Sequence, residues 1–370
     1  MKELRIKDIC DKGSSNLKQK DVEGKNGQYP VYGASGIISH IGTYHQEENY
    51  IAIVKDGSGI GRVTFMPAKS SVIGTMQYIL PREGFNINYI GYCLQSLDLS
   101  KYKQGAAIPH IYFRDYGERI VKVTEDTKEQ QSIVDYLDSA FAKIDAMMAN
   151  AEKALNEAKA LFQASLKKML EPKEGWEESE LKDIVDEKCP ISYGIVQQGD
   201  HVEGGIPVVR PVDLNRKYIT ANGLKCTTES ISSSYKRTIL RGDEILLGVR
   251  GTTGIIGIAT EELNGCNVNR GVVPLFFKDT ICRDFIFYKM LSPAIQAVFA
   301  EKTTGATLKQ INIKDLRTIV FSYPIIEIQQ SIVATLDSLK SKVDRLQENY
   351  NKISQECDAL KQSILRQVFE

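Results

Sequence analysis

The decapeptide EQQSIVDYLD at residues 129–138 returns as IQQSIVATLD at residues 328–337, 199 positions later. Seven of the ten positions are identical: Gln130, Gln131, Ser132, Ile133, Val134, Leu137 and Asp138 recur as Gln329, Gln330, Ser331, Ile332, Val333, Leu336 and Asp337. Chance does not write such a match twice into 370 residues. The chain reads as a tandem duplication, so its fold must hold the same element in two places.

That element is a long helix. From Ile332, alternating steps of four and three reach Leu336, Leu339, Val343, Leu346, Tyr350, Ile353, Cys357, Leu360 and Ile364, an unbroken apolar a/d pattern with charged and amide residues on the other faces. The offset of 199 carries the register onto Ile133, Leu137, Ala140, Ile144, Met147, Ala151, Ala154, Ala158, Leu161 and Ser165. The predicted seam therefore includes Ile133, Leu137, Ile144, Ala151 and Leu161 on one helix and Ile332, Leu336, Val343, Tyr350 and Leu360 on the other. Small residues on one stripe and large ones on the other suit mutual packing; the alternative is that each stripe buries against its own neighbouring domain. Thr127-x-x-Gln130 reads as a capping box, Pro324 precedes the second start, and Pro172 with Gly175 closes the first helix. Residues 128–170 would form a rod of roughly 65 Å.

The segments ahead of the helices repeat more loosely. IKDIC (6–10) parallels LKDIV (181–185), YPVYG (29–33) parallels IPVVR (206–210), YIGYCLQS (89–96) parallels FIFYKMLS (285–292), and GAAIPHIYFRD (105–115) parallels GATLKQINIKD (305–315). The offset drifts from 175 to 200, which places the insertions inside these segments. β-rich runs (NYIAIVKD, GRVTFMP, MQYILP; then EILLGVRG, TGIIGIAT, GVVPLFFK) precede one helix each, INYIGYCLQSLDL and DFIFYKMLSPAIQAVFA. The expected organisation is an α+β segment over 1–124, a spacer helix over 125–174, a second α+β segment over 175–323 and a second spacer helix over 324–370. A shared scaffold with divergent loops suits two recognition domains with different targets.

Several function classes drop out. No apolar run approaches the roughly 20 residues of a membrane span, and charges interrupt the start MKELRIKDICDKG, so a cytoplasmic location is expected. Seven scattered cysteines without a C-x-x-C pair point to reduced thiols, and four histidines away from them give no metal site. Net charge is zero, although residues 1–124 carry 16 Lys and Arg against 12 Asp and Glu, a weak lean towards a polyanion. Phosphate-loop, nucleophile-elbow, zincin and amino-methylating motifs are missing, so no catalytic residues are assigned. DGSGIGR (56–62) has the glycines of a nucleotide loop but runs into the β-type stretch VTFMP, which makes it a turn instead. Its counterpart VRGTTGIIG (249–257) reads the same way, and Glu180-Leu181-Lys182 parallels Arg5-Ile6-Lys7 as scaffold.

Polar loop clusters remain. They offer donors and acceptors suited to base edges and phosphates: Ser35, His40, Tyr44, Lys55, Ser58, Arg62, Lys101, Lys103 and His110 in the first copy, and Gln197, Gln198, Arg210, Arg250, Thr252, Thr253, Asn267, Asn269, Arg270, Lys302, Thr303 and Lys309 in the second. One such loop is ordinary solvated surface. Recurrence at matching places in both copies favours DNA binding.

The alternation of variable segment, EQQSIVDYLD helix, variable segment and IQQSIVATLD helix, with GAAIPH, GATLKQINIKDL and RGDEILLGVRGTTG, resembles the specificity subunit of type I restriction–modification systems along essentially the whole chain. The resemblance implies two target-recognition domains joined by two helices in an antiparallel, pseudo-twofold coiled coil, each domain reading half of a split asymmetric DNA site. It implies modification subunits that carry S-adenosylmethionine and methylate adenine, and restriction subunits that use ATP and Mg, with no cofactor in this chain. MKELRIKDI leaves almost no arm before the first domain, so contacts that a longer N-terminus makes in some relatives are not expected. The rival reading is a coiled-coil scaffold whose two β-rich heads bind proteins or glycans; a third, an enzyme at DGSGIGR, would require nucleotide binding there.

Overall fold

The computed structural model describes residues 1–105 and 109–369; part of the GAAIPH motif, Ala106 to Ile108, lies outside them. The chain forms two compact units, Met1–Lys153 with Glu348–Glu370, and Ala154–Gln347.

The first unit contains β1 (Lys2–Arg5), β2 (Cys10–Ser14), β3 (Tyr29–Gly33), β4 (Gly36–Ile41), β5 (Tyr50–Val54), β6 (Val63–Met66), β7 (Ser71–Val72), β8 (Met76–Pro81), helix α1 (Ile87–Ser96) and β9 (Ile120–Val123). A four-stranded sheet in the order β2-β8-β5-β6 is antiparallel throughout. A smaller sheet, β4-β3-β7, has one antiparallel and one parallel pair, and β1 pairs with β9 as a ribbon. The helix α2 (Thr127–Leu170) follows and passes into the second unit.

The second unit repeats this plan with β10 (Glu177–Glu180), β11 (Ile206–Val209), β12 (Tyr218–Ile219), β13 (Lys225–Thr227), β14 (Ile245–Gly248), β15 (Ile256–Ala259), β16 (Asn267–Val268) and β17 (Val272–Leu275), then α3 (Arg283–Leu291), α4 (Pro293–Lys302), β18 (Thr303–Thr304), β19 (Gln310–Ile311), β20 (Val320–Tyr323) and α5 (Ile326–Phe369). Its central sheet is β12-β15-β14-β17, its small sheet β13-β11-β16 again mixes an antiparallel with a parallel pair, and β10 pairs with β20. The single helix expected from DFIFYKMLSPAIQAVFA is broken in two. Pro293 lacks the N–H that would continue α3, and Ser292 caps α4 by accepting from the Ile295 N–H.

The repeated decapeptide is a joint between head and helix. Gln130 is wholly buried; its amide accepts from the Asn86 N–H at 2.6 Å and donates to the carbonyls of Gly84 at 3.0 Å and Thr124 at 2.9 Å. Gln329 repeats this in the second unit, accepting from the Cys282 N–H at 2.8 Å and donating to Thr280 at 3.2 Å and Pro324 at 2.8 Å. Asp138 accepts from the Tyr92 hydroxyl and Asp337 from the Tyr288 hydroxyl. Burial, and then those carboxylates, pushes both phenols up. The capping box is corrected accordingly. Asp126 caps α2, accepting from the Lys128 N–H at 2.8 Å, while Gln130 faces the core.

Within each unit the two long helices pack antiparallel. In the first, Lys361 pairs with Asp145 and lies 5.5 Å above the Phe141 ring, while Leu365 and Phe369 share a core with Leu137 and Val134. In the second, Lys159 donates to Gln347 at 2.8 Å, and Val343, Leu336 and Ile332 share a core with Phe162, Leu166 and Leu170. Of the predicted seam, Leu137, Ile144, Ile332, Leu336 and Val343 are buried, and Ile133, Ala151 and Tyr350 half-buried. Leu161 and Leu360 are not seam residues: they are 59% and 48% exposed. Ala154 is exposed as well. Among the buried positions on α2, Ile144, Leu155 and Leu166 recur at an eleven-residue interval, closer to the natural 3.6-residue turn than to the 3.5 of a heptad. A strict heptad drifts about 20° per repeat against a straight helix. Over four or more repeats the drift of about 80–90° approaches one residue's turn of about 100°, and the stripe passes from Leu161 to Phe162 and from Ile364 to Leu365.

Candidate nucleic-acid interface

In both units the glycine turn leaving the central strand is tied to the loop ahead of the long helix. In the first, Gly57 (φ +97°) donates to the Pro109 carbonyl at 3.0 Å, and the Ile111 N–H donates to Lys55 at 2.9 Å. His110 Nδ1 stands 2.7 Å from Asp56. Gly61 (φ +82°) passes so close to the next turn that a Cβ there would lie 2.9 Å from the Ser100 nitrogen. Lys55, Ser58 and Arg62 are thereby gathered with Lys101, Lys103 and His110. Ser58, Arg62, Lys101 and Lys103 are exposed, while Lys55 and His110 are half-buried. Beside them the His110 and Tyr112 rings lie near parallel, and Arg114 sits 4.8 Å above Tyr112.

In the second unit the Gly251 N–H donates to Lys309 at 2.9 Å and the Ile311 N–H to Val249 at 2.8 Å, which sets Arg250 and Thr252 beside Lys309. Two of the expected contacts, Thr253 and Thr303, are half-buried and pin the turn to the loop. The Thr253 and Thr303 hydroxyls lie 2.9 Å apart, with the Phe299 carbonyl 2.7 Å from Thr303. Lys302 faces Glu301 at 3.8 Å.

The small sheets carry the other clusters. In the first unit a polar groove of about 620 Å³ is lined by Gly13, Ser14, Ser15, Asn16, Tyr44, His45, Gln46 and Tyr78. Tyr44, His45 and Gln46 belong to the polar stretch SHIGTYHQEENY at 39–50, whereas Asn16 carries no such local signal. Tyr44 donates to Glu47 and meets the Tyr29 ring edge-on at 4.8 Å. Ser35 and His40 are exposed on the β3–β4 hairpin, outside the residues lining this groove.

In the second unit the Arg270 N–H donates to Ile195 at 2.8 Å and the Asn269 N–H to Val209 at 2.9 Å, bringing Gln197, Gln198, Arg210, Asn269 and Arg270 to one edge. Asn267 is corrected: it is wholly buried, donating to Ser232 at 3.1 Å and accepting from Thr238 at 2.7 Å. Arg210 is also committed inward, since Asp213 takes it bidentately at 3.0 and 2.8 Å and raises its guanidinium above its ordinary value. Asn269 accepts from the Gly271 N–H at 2.9 Å. Gln197 is exposed, and Arg270 is half-buried at the same edge.

These surfaces offer hydrogen-bond donors, acceptors and cations. Among the described residues no cluster of three or more His, Cys, Asp or Glu could hold a metal ion, and no helix is long and apolar enough to cross a membrane.

A family model described as the type I restriction modification DNA specificity domain matches residues 1–157 and 173–355. The chain is similar to the type I restriction enzyme EcoBI specificity subunit of Escherichia coli, at 29% identity over 266 residues, covering 65% of this chain and 56% of that protein. The match thus spans little more than half the length of that relative. Among solved structures, a chain from work on complex assembly and conformational transition of a type I R-M system superposes with a TM-score of 0.72 at 17% identity, covering 98% of this chain and 96% of that one. The HsdS subunit from Thermoanaerobacter tengcongensis gives 0.55 at 15% identity, covering 98% and 95%. Both likenesses concern the fold. The twice-written joint, the twice-written head and the family match over most of its length together place this chain in the family of type I restriction–modification DNA specificity domains.

Proposed function

We propose that this chain is a sequence-reading, non-catalytic subunit that recognises a bipartite, asymmetric DNA target and directs methyltransferase and restriction subunits to it. The observation that carries this reading is the repeated pairing of glycine turn and pre-helix loop, with Lys55, Ser58, Arg62, Lys101, Lys103 and His110 in one head and Arg250, Thr252 and Lys309 in the other. The scaffold is the same and the polar residues differ, which is what two different half-sites need. The head segments 1–124 and 175–323 would do the reading, and the long helices would set the unread gap and dock the modification subunits. S-adenosylmethionine, ATP and Mg would belong to those partners. The site of action would be the cytoplasm, where genomic DNA is modified. With 3.4 Å per base pair, a rod of roughly 65 Å limits the footprint to about 19 base pairs.

Methylation mapping of the host genome with and without this gene tests the reading. It should reveal one split adenine-containing motif that vanishes with the gene, and the purified chain with its modification partner should shift that duplex over a scrambled one. A map without any gene-dependent motif defeats it. Affinity should also fall steeply with salt; weak salt dependence favours a scaffold with protein- or glycan-binding heads.

A further inference from the structure

The first unit carries two adjoining grooves that share Leu97, Asp98 and Arg366. The larger, about 680 Å³, is bordered by Arg62 from the glycine turn and by Lys361 and Arg366 from α5; the smaller, about 300 Å³, adds Lys101 and Arg119. Arg62, Lys101, Arg119 and Arg366 are all exposed. None of these four makes a side-chain hydrogen bond or ion pair with the described residues, whereas Lys361 is engaged by Asp145. The acid in the lining, Asp98, is occupied by the Ser100 N–H at 3.2 Å. Other cations of this unit have a carboxylate partner, as in Arg5 with Asp8, Arg82 with Asp11 and Lys7 with Glu118. A string of unmatched cations along a polar channel is a poor arrangement for a folded chain alone and a good one for a chain of evenly spaced anions.

The duplicate head lacks this device. The strand registers align Val63 with Ile256 and Ile120 with Val320, so Arg62 and Arg119 correspond to Ile255 and Ile319. Lys167 stands where Arg366 does, 199 residues away, and Pro293 and Ala294 follow Ser292 where Leu97 and Asp98 follow Ser96. That position in the second unit is instead a mostly apolar cavity bordered by Leu170, Pro293, Ile295 and Val320.

We infer that the groove formed by Arg62, Lys101, Arg119 and Arg366 binds the sugar-phosphate backbone of the target duplex, giving the first head an anchor that the second lacks and making the C-terminal end of α5 a DNA-contacting element. This rests on the DNA-reading function proposed above and adds an asymmetry to it: one head holds the backbone more strongly than the other, independently of base sequence.

The test measures duplex affinity of the full chain with its modification partner from about 50 to 300 mM salt, on the mapped target and on a scrambled duplex. Arg119→Ala/Arg366→Ala should weaken both duplexes by a similar factor, about ten-fold near 0.1 M salt, and make the log–log salt slope shallower by about 2. The ratio between target and scrambled duplex should stay unchanged, and Arg119→Lys/Arg366→Lys should restore most of the slope. An unchanged slope in the alanine variant overturns the inference, as does loss of modification-subunit binding with DNA affinity intact, which would make the groove a protein dock. Failure of the unaltered complex to prefer any sequence defeats the functional reading instead; the scrambled duplex still reports the groove.

Discussion

The joint at the start of each long helix makes a quantitative prediction. Replacing Gln130 with leucine keeps the size but removes three bonds, leaving the Asn86 N–H and the Gly84 and Thr124 carbonyls without that partner. At about 1 kcal/mol for each stranded group, less about 1 kcal/mol for the apolar surface that leucine buries, the net loss is about 2 kcal/mol. The loss is local, so hydrogen exchange at single amides is the suitable assay, because a chain of two units need not unfold in one step. The Asn86 amide should exchange about 30-fold faster in Gln130→Leu, with the Cys282 amide unmoved; Gln329→Leu should show the converse. Tyr136→Leu is the control, since Tyr136 is 56% exposed and its change should cost under about 0.5 kcal/mol. Unaltered protection at Asn86, or equal loss at both amides from either substitution, would refute the account of the joint.

Other outcomes follow from the same structure. Phe162→Ala should cost about 3 kcal/mol and Leu161→Ser under about 0.5, measured by denaturant melts; the reverse order would restore the heptad seam. Lys289, only 4% exposed and donating to Leu170 and Ser322, has its ammonium pushed down to about 8, chiefly by burial. Below about pH 8 both folded and unfolded chains carry that proton and the full penalty, about 3 kcal/mol, is present. Between about 8 and the ordinary 10.5 only the unfolded chain holds it, so stability contributed by this group rises with pH. The stability difference between the unaltered chain and Lys289→Met should therefore move by about 3 kcal/mol in favour of the unaltered chain over that window, and parallel curves would contradict the shift. Removing seven residues between 140 and 161 together with the matched seven of the second helix should shorten the unread gap by about 3 base pairs and leave the half-sites unchanged; an unchanged gap would end the ruler idea.

Much of this was legible in the sequence, for identifiable reasons. A ten-residue repeat is visible because Gln130 and Asp138 each meet a fixed partner, and their copies Gln329 and Asp337 meet the equivalent atoms of the second unit. The paired strands and the glycine turns also announced themselves, since β-branched runs and turn glycines are local signals. What failed was what depends on distant partners. The heptad template could not register the slow drift that exposes Leu161. Asn267 looked like a loop reader because nothing near it shows that Thr238, 29 positions away, claims it; Arg210 did so because only the short helical turn that follows it closes its pairing with Asp213 three residues on. Arg119 and Arg366 were invisible for the opposite reason: each stands alone in its stretch, and only the fold gathers them with Lys101.

The glutamine joint touches its head through main-chain atoms: an N–H and two carbonyls in the first unit, an N–H and two carbonyls in the second. Every residue type supplies a carbonyl, and all but proline supply an N–H. Here such contacts arise with Asn86 at one joint and Cys282 at the other. A gene of this kind can accumulate changes across almost an entire head while the mounting persists untouched, so selection for novelty and selection for assembly act on separate atoms.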